Sequence, residues 1–126
     1  SIQAALLGYK DKAYEMYLRT ARLDIDDYNN DTEDGCHITS MAGTWLSVIK
    51  GFGGMRIKDG QLHFNPFIPD QWLSYSFRIE FRGHVLKIKI SKASIDAVLL
   101  SGDKLAVNFY GKPFILVKQQ IVVVSV

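Results

Sequence analysis

A chain of 126 residues with 48% apolar and 22% charged residues has the length of one domain or of part of a larger one. It can bury roughly two-thirds of its unfolded surface, and that apolar share excludes a disordered chain. Its longest apolar runs, Phe114 to Val117 and Ile121 to Val124, fall far short of the ~20 residues a spanning helix needs, and a net charge of +2 is too small to argue for nucleic acid.

The chain opens Ser1-Ile2-Gln3-Ala4-Ala5-Leu6-Leu7-Gly8, with no basic region or cleavage pattern. It reads as a mature start or as a piece cut from a longer protein, with a short helical scrap over residues 2–7. From Tyr9 to Leu23 the polar residues Lys12, Glu15, Arg19 and Arg22 recur at steps of three and four, which predicts a helix with one wet stripe. Ala13, Tyr14, Met16, Tyr17, Leu18 and Ala21 cover the rest, as in a helix packed on two sides. Glu15 and Arg19 are spaced for an i,i+4 ion pair.

Six acids then fall within eleven residues: Asp24, Asp26, Asp27, Asp31, Glu33 and Asp34. Calcium is the sharp reading, but the ligand order of an EF-hand fails from either start: Tyr28 falls at a ligand position, or Thr32 at the required glycine. A solvated loop that caps the next helix, with Asp34 or a neighbour as N-cap, is the preferred reading. That helix is predicted from about His37 to Lys50. Ile38, Met41, Ala42, Trp45, Ile49 and Phe52 fall on one face, which makes Met41 and Trp45 core residues, and Gly51, Gly53 and Gly54 end it.

From Met55 the period drops to two. Asp59-Gly60 joins Met55–Lys58 to Gln61–Asn65 as a hairpin, and Asn65-Pro66-Phe67-Ile68-Pro69-Asp70 is a rigid extended loop. Ser76–Arg82 and His84–Ser91 alternate around Arg82-Gly83-His84 and turn Phe77, Ile79, Phe81, Leu86, Ile88 and Ile90 inward. Ile95–Leu100, Leu105–Phe109, Phe114–Lys118 and Ile121–Ser125 bring the total to about eight strands, with turns at Ser101-Gly102-Asp103 and Tyr110-Gly111-Lys112-Pro113. The expected class is α+β: helices, then an antiparallel β-sandwich. The first 54 residues carry net −3 and the remainder +5, a contrast that fits solvated strand faces in the basic half.

Common chemical motifs are missing. The sequence holds no G-x-S-x-G, P-loop, G-x-G-x-x-G or H-E-x-x-H pattern. Gly51-Phe52-Gly53-Gly54 follows a helix instead of opening one. His37, His63 and His84 lie on different elements without ligand spacing, so no metal site is expected. Trp72, Tyr75 and Tyr110 are able to stack on sugar rings, but burial in a core or interface is the preferred reading. The single Cys36 leaves no internal disulfide, which fits a reducing, cytoplasmic setting.

One long stretch is recognisable. Asp34-Gly35-Cys36-His37-Ile38-Thr39-Ser40-Met41-Ala42-Gly43-Thr44-Trp45, followed by Gly51-Phe52-Gly53-Gly54-Met55-Arg56, closely resembles the glycoside phosphorylases of glycoside hydrolase family 65. Leu62-His63-Phe64-Asn65-Pro66, Ile68-Pro69, Trp72, Ser76-Phe77-Arg78 and Phe81-Arg82-Gly83 extend the match. Upstream, Tyr14-Glu15-Met16-Tyr17-Leu18-Arg19-Thr20-Ala21-Arg22-Leu23-Asp24 looks most like the maltose phosphorylase branch. The resemblance is strong over roughly residues 9–90 and loose beyond. It implies that residues 1–54 are the last helices of an (α/α)6 catalytic barrel and residues 55–126 a C-terminal β-sandwich domain.

The activity implied is inverting phosphorolysis of an α-linked glucose disaccharide, with maltose the first choice. A glutamic acid protonates the glycosidic oxygen while inorganic phosphate, the only co-substrate and no cofactor, attacks the opposite face to give β-glucose 1-phosphate and glucose. Glu15 and Glu33 lie outside the motif of that acid, so no catalytic residue is assigned in this chain, and the chain alone is expected to be inactive. His37 occupies the position of a phosphate-contacting histidine, and Ser40 is a second candidate at the same helix start. A helix start supports this independently, because its N–H groups and positive dipole end favour anions. Disaccharide and phosphate are the expected partners, with no nucleic acid and no membrane. Apolar helix faces around Tyr14, Leu18, Met41 and Trp45 point to a homo-oligomer or to a large apolar patch. Two alternatives stay open: a hydrolase of the same family, and a non-catalytic sandwich that binds carbohydrate or serves as a structural module.

Overall fold

In the computed structural model the described residues are 1–27, 30, 33 and 35–126. They divide into two compact units, Ser1–Phe52 and Gly53–Val126.

The first unit is helical. It contains α1 (Ile2–Leu6), α2 (Lys10–Ala21), α3 (Leu23–Asp26) and α4 (Ile38–Leu46), and α4 runs on into a π-helical turn over Ser47–Phe52. The expected helix over residues 9–23 is thus present in two pieces, with a break at Arg22. Asp27, in the left-handed region at φ 49°, ends α3. Glu15 pairs with Lys12 at 2.9 Å and not with Arg19. Both members of that pair are exposed, so it adds little stability.

The helix predicted over about residues 37–50 begins one residue later and changes winding at Ser47. Thr44 Oγ1 donates to Ser40 O at 2.8 Å and Ser47 Oγ to Gly43 O at 2.8 Å. Such back-bonding competes with the main-chain ladder and loosens it, and here it immediately precedes the wider turn. Gly51 therefore lies inside the helical run and does not end it. Its bare Cα faces Ile2 Cα, 3.7 Å from where a Cβ would stand, so α1 packs closely there. Gly54, at φ 60°, is the residue that re-aims the chain.

The wider turn also splits the expected apolar face. Ile49 and Phe52 are fully buried, with Tyr17 edge-on to Phe52 at 5.3 Å. Ile38, Met41 and Trp45 are 77%, 57% and 54% exposed. Met41 and Trp45 are therefore not core residues within this unit. Leu18 is exposed as well, and Tyr14 is half-buried.

The second unit is a sandwich of two four-stranded sheets. Its strands are β1 (Arg56–Lys58), β2 (Gln61–Phe64), β3 (Ser74–Phe81), β4 (His84–Ser91), β5 (Ser94–Ser101), β6 (Lys104–Phe109), β7 (Lys112–Val117) and β8 (Ile121–Ser125). One sheet has the order β1-β2-β6-β7 and the other β3-β4-β5-β8. Alternation turns Leu62, Phe64, Phe77, Leu86, Ile88, Ile90, Leu99, Val107 and Phe109 into the core. Phe64 stacks on Phe109 at 5.4 Å. The Asp59-Gly60, Arg82-Gly83 and Tyr110-Gly111 turns have φ positive at both residues, the mirror-image turn that matches strand twist. Pro113, which has no N–H to donate, sits on the edge strand β7.

One pairing departs from the antiparallel expectation: β2 and β6 run parallel. Strand parity explains it. The chain leaves the first sheet after β2 and makes three strands of the second, reversing each time. It therefore returns into β6 in the direction it left. The remaining ladders are antiparallel.

Candidate functional site at the start of helix α4

His37 stands at the N-cap position of α4, directly after Gly35 and Cys36. Its side chain caps nothing. Instead a carboxylate 13 residues earlier reaches it. His37 N–H donates to Asp24 Oδ2 at 3.0 Å, and the ring Nδ1 meets Asp24 Oδ1 at 2.5 Å. One carboxylate thus grips both the backbone and the ring of the same residue.

The pair is neither sealed nor fully wet, with side-chain exposures of 33% for His37 and 22% for Asp24. The hydrogen bond from the His37 ring holds the Asp24 carboxyl below its ordinary value of 3.8, against the opposing effect of desolvation. An ionised carboxylate only accepts, so Nδ1 carries the proton in this contact. In the doubly protonated ring, Nε2 also carries one and is a charge-assisted donor.

The sequence places a whole run of acids here, and the structure gives the partners of Asp26 and Asp24. Arg22 makes a bidentate contact with Asp26, Nε and Nη2 each 2.7 Å from an oxygen, which holds Asp26 below its ordinary value too. Asp24 goes to His37. Asp34, expected as the cap, and Asp31 lie outside the described residues.

The amide groups at this helix start are mostly occupied. Besides His37 N–H, Ile38 N–H donates to Cys36 O at 3.0 Å and Ser40 N–H to His37 O at 2.9 Å. The imidazole is therefore a stronger anion-binding feature than the backbone. Ser40 lies one turn beyond His37 on α4, half-buried. A separate cleft of about 460 Å³ between α1, α2 and α4 is lined by Ile2, Met16, Thr20, Gly43 and Ser47 and includes neither His37 nor Ser40. The sequence shows Asp24 only as one of the acidic run and does not link it to His37. No periodic signal links two positions 13 apart.

The aromatic candidates belong to the sandwich. Tyr75 Oη donates to Phe67 O at 2.9 Å and Tyr110 Oη to Pro66 O at 2.7 Å, while Trp72 meets Tyr75 edge-on at 5.6 Å. Burial pushes the Tyr75 phenol far above its ordinary range. These rings hold the proline loop while only half-buried, and Tyr110 is 38% exposed, so the expected full burial is not met within this unit. Among the described residues no group of three or more His, Cys, Asp or Glu is placed to hold a metal ion, and no helix is long and apolar enough to cross a membrane.

Residues 1–46 match the central catalytic domain of glycosyl hydrolase family 65, and residues 55–116 match the C-terminal domain of the same family. The chain belongs to glycosyl hydrolase family 65. It is 42% identical over 121 residues to the α,α-trehalose phosphorylase of Thermoanaerobacter brockii, a match that covers 96% of this chain and 16% of that protein. It is 45% identical over 116 residues to the maltose phosphorylase of Bacillus subtilis (strain 168), covering 92% and 15%. A solved structure from the human microbiome, assigned as a kojibiose phosphorylase, superposes with a TM-score of 0.92 at 34% identity and covers 99% of this chain and 18% of that one. The chain thus spans about a sixth of the length of the curated relatives it matches. Identities this close to relatives named for different disaccharides assign no substrate. In this family 65 chain, Asp24 and His37 both fall in the segment matched to the catalytic domain.

Proposed function

We propose that this chain is the C-terminal part of an inverting disaccharide phosphorylase and supplies part of its phosphate site through His37. The observation that carries the reading is the imidazole held at the start of α4 by Asp24, inside the stretch similar to the family's catalytic domain. Net charge explains how it works. Beside a neutral imidazole the Asp24 carboxylate stays uncompensated, which repels phosphate. A protonated ring cancels it and presents Nε2–H to a phosphate oxygen.

In the reaction, a phosphate oxygen attacks the anomeric carbon on the face opposite the leaving sugar. The bond to the glycosidic oxygen breaks as a carboxylic acid outside this chain protonates that oxygen. The products from maltose, the first-choice substrate, are β-glucose 1-phosphate and glucose. Ser40 is a second phosphate contact. The chain alone turns over no substrate, and the whole protein works in the cytoplasm as a homo-oligomer with no cofactor besides phosphate. The exposed Leu18, Met41 and Trp45 support a covering surface supplied from beyond this unit.

The test is cleavage of maltose, α,α-trehalose and kojibiose by the full-length protein, with and without phosphate, with the anomer of the sugar phosphate read by proton NMR. Phosphate-dependent release of the β-anomer is expected, and cleavage without phosphate refutes the phosphorylase reading in favour of a hydrolase. His37→Ala removes a charge-assisted hydrogen bond worth roughly 1.5–3 kcal/mol, so KM for phosphate rises on the order of ten- to a hundredfold. Unchanged phosphate saturation returns His37 to a structural role.

A further inference from the structure

We propose that Asp24 is a positioning residue for the phosphate site: its carboxylate fixes the orientation of the His37 imidazole and favours its charged form, so that Nε2–H is the donor presented to phosphate. This rests on the reading of His37 as a phosphate contact and adds to it a residue that acts only through His37.

The geometry carries the argument. Oδ2 of Asp24 takes the backbone N–H of His37 at 3.0 Å while Oδ1 takes ring Nδ1 at 2.5 Å. Two anchors on one residue fix both where its Cα sits and how its ring turns. A cap of the helix start alone would need the backbone contact and no more. A carboxylate also differs from an amide here. It accepts from Nδ1–H and its charge favours the doubly protonated ring, whose Nε2–H is a donor; an amide at the same place carries no charge and holds that cation less well. Asp26, two residues on, is occupied by Arg22 and does not substitute for Asp24. The paradox of a carboxylate beside an anion site is thereby resolved: the ring's protonated form is what faces the phosphate, and Asp24 is its counter-charge on the far side.

The experiment is a double-mutant cycle in the full-length enzyme, with kcat and with KM for phosphate and for disaccharide measured for Asp24→Asn, His37→Ala and the two combined. Asp24→Asn retains an acceptor for the His37 N–H. The expected result is a tenfold or greater rise in KM for phosphate, with KM for disaccharide within about twofold, and no further rise when it is added to His37→Ala. Three results overturn the proposal. Phosphate KM unchanged in Asp24→Asn but raised in His37→Ala removes the role of Asp24 and leaves that of His37. Effects that multiply in the combined variant make Asp24 independent of His37. An unchanged phosphate KM in His37→Ala removes the phosphate reading itself. Should the asparagine variant not fold, Asp24→Glu keeps the charge but displaces it by one methylene. A rise confined to phosphate KM then supports the proposal, and no change refutes it.

Discussion

Gly54→Ala is a sharp test of how the chain enters the sandwich. Gly54 has φ 60°, and a Cβ built there comes within 3.0 Å of the N, C and O atoms of Asn65. Those atoms are backbone, so no flexible side-chain end can swing away. Two costs follow. Holding an alanine in the left-handed region costs about 1–2 kcal/mol. Displacing packed backbone to make room adds about 1–3 kcal/mol, for a total of about 2–5 kcal/mol.

Gly83 provides the control, because its φ of 76° is just as unfavourable for alanine, yet nothing lies within 4 Å of its added Cβ. Gly83→Ala should therefore show the conformational cost alone, about 1–2 kcal/mol. The assay is equilibrium urea denaturation followed by tryptophan fluorescence, with the two variants compared under one condition. Equal destabilisation by both would refute the close approach at Asn65.

Two titrations and one substitution complete the set. On the acid side, the Asp24–His37 contact stabilises the fold above about pH 3.8, and that contribution is lost as pH falls through the lower value of Asp24 in the folded protein. A carboxyl-carbon NMR titration placing Asp24 at or above 3.8 contradicts this, and Asp24→Asn should remove this share of the acid dependence while the share from Asp26, paired to Arg22, remains. On the alkaline side, burial raises Tyr75 and Tyr110 above 10, so their contribution is present below pH 10 and is lost as pH rises through their raised values. An absorbance titration should find Tyr75 resisting ionisation, and its ionisation together with exposed tyrosines would refute the burial argument. Tyr75→Phe removes the 2.9 Å bond to Phe67 O and should cost about 1 kcal/mol in the same denaturation assay; no loss would mean that the bond contributes nothing to stability.

Local signals were legible, and the sandwich shows why. Asp59-Gly60, Arg82-Gly83 and Tyr110-Gly111 each mark a turn by chemistry contained in two residues, and alternation fixed the inward faces of β3 and β4 within one residue. The parallel pairing of β2 with β6 depends on where the chain goes between them, which no short window contains. The π turn was hidden for a different reason. Ser47–Phe52 fits an α-helical stripe as well as a π one, and the choice depends on hydroxyls bonding back to Ser40 and Gly43.

The acidic run illustrates the same division within a single segment. Arg22 and Asp26 are four apart, so their contact follows from helix geometry alone. Asp24 and His37 meet although they are 13 residues apart, and an acid that looks like one more solvated charge becomes the anchor of a ring. The proposed role therefore rests on which carboxylate meets His37, not on how many acids there are. Counting the six acids pointed toward calcium or a loop. Following Asp26 and Asp24 to their partners separates a local ion pair from a residue proposed to orient the candidate phosphate ligand.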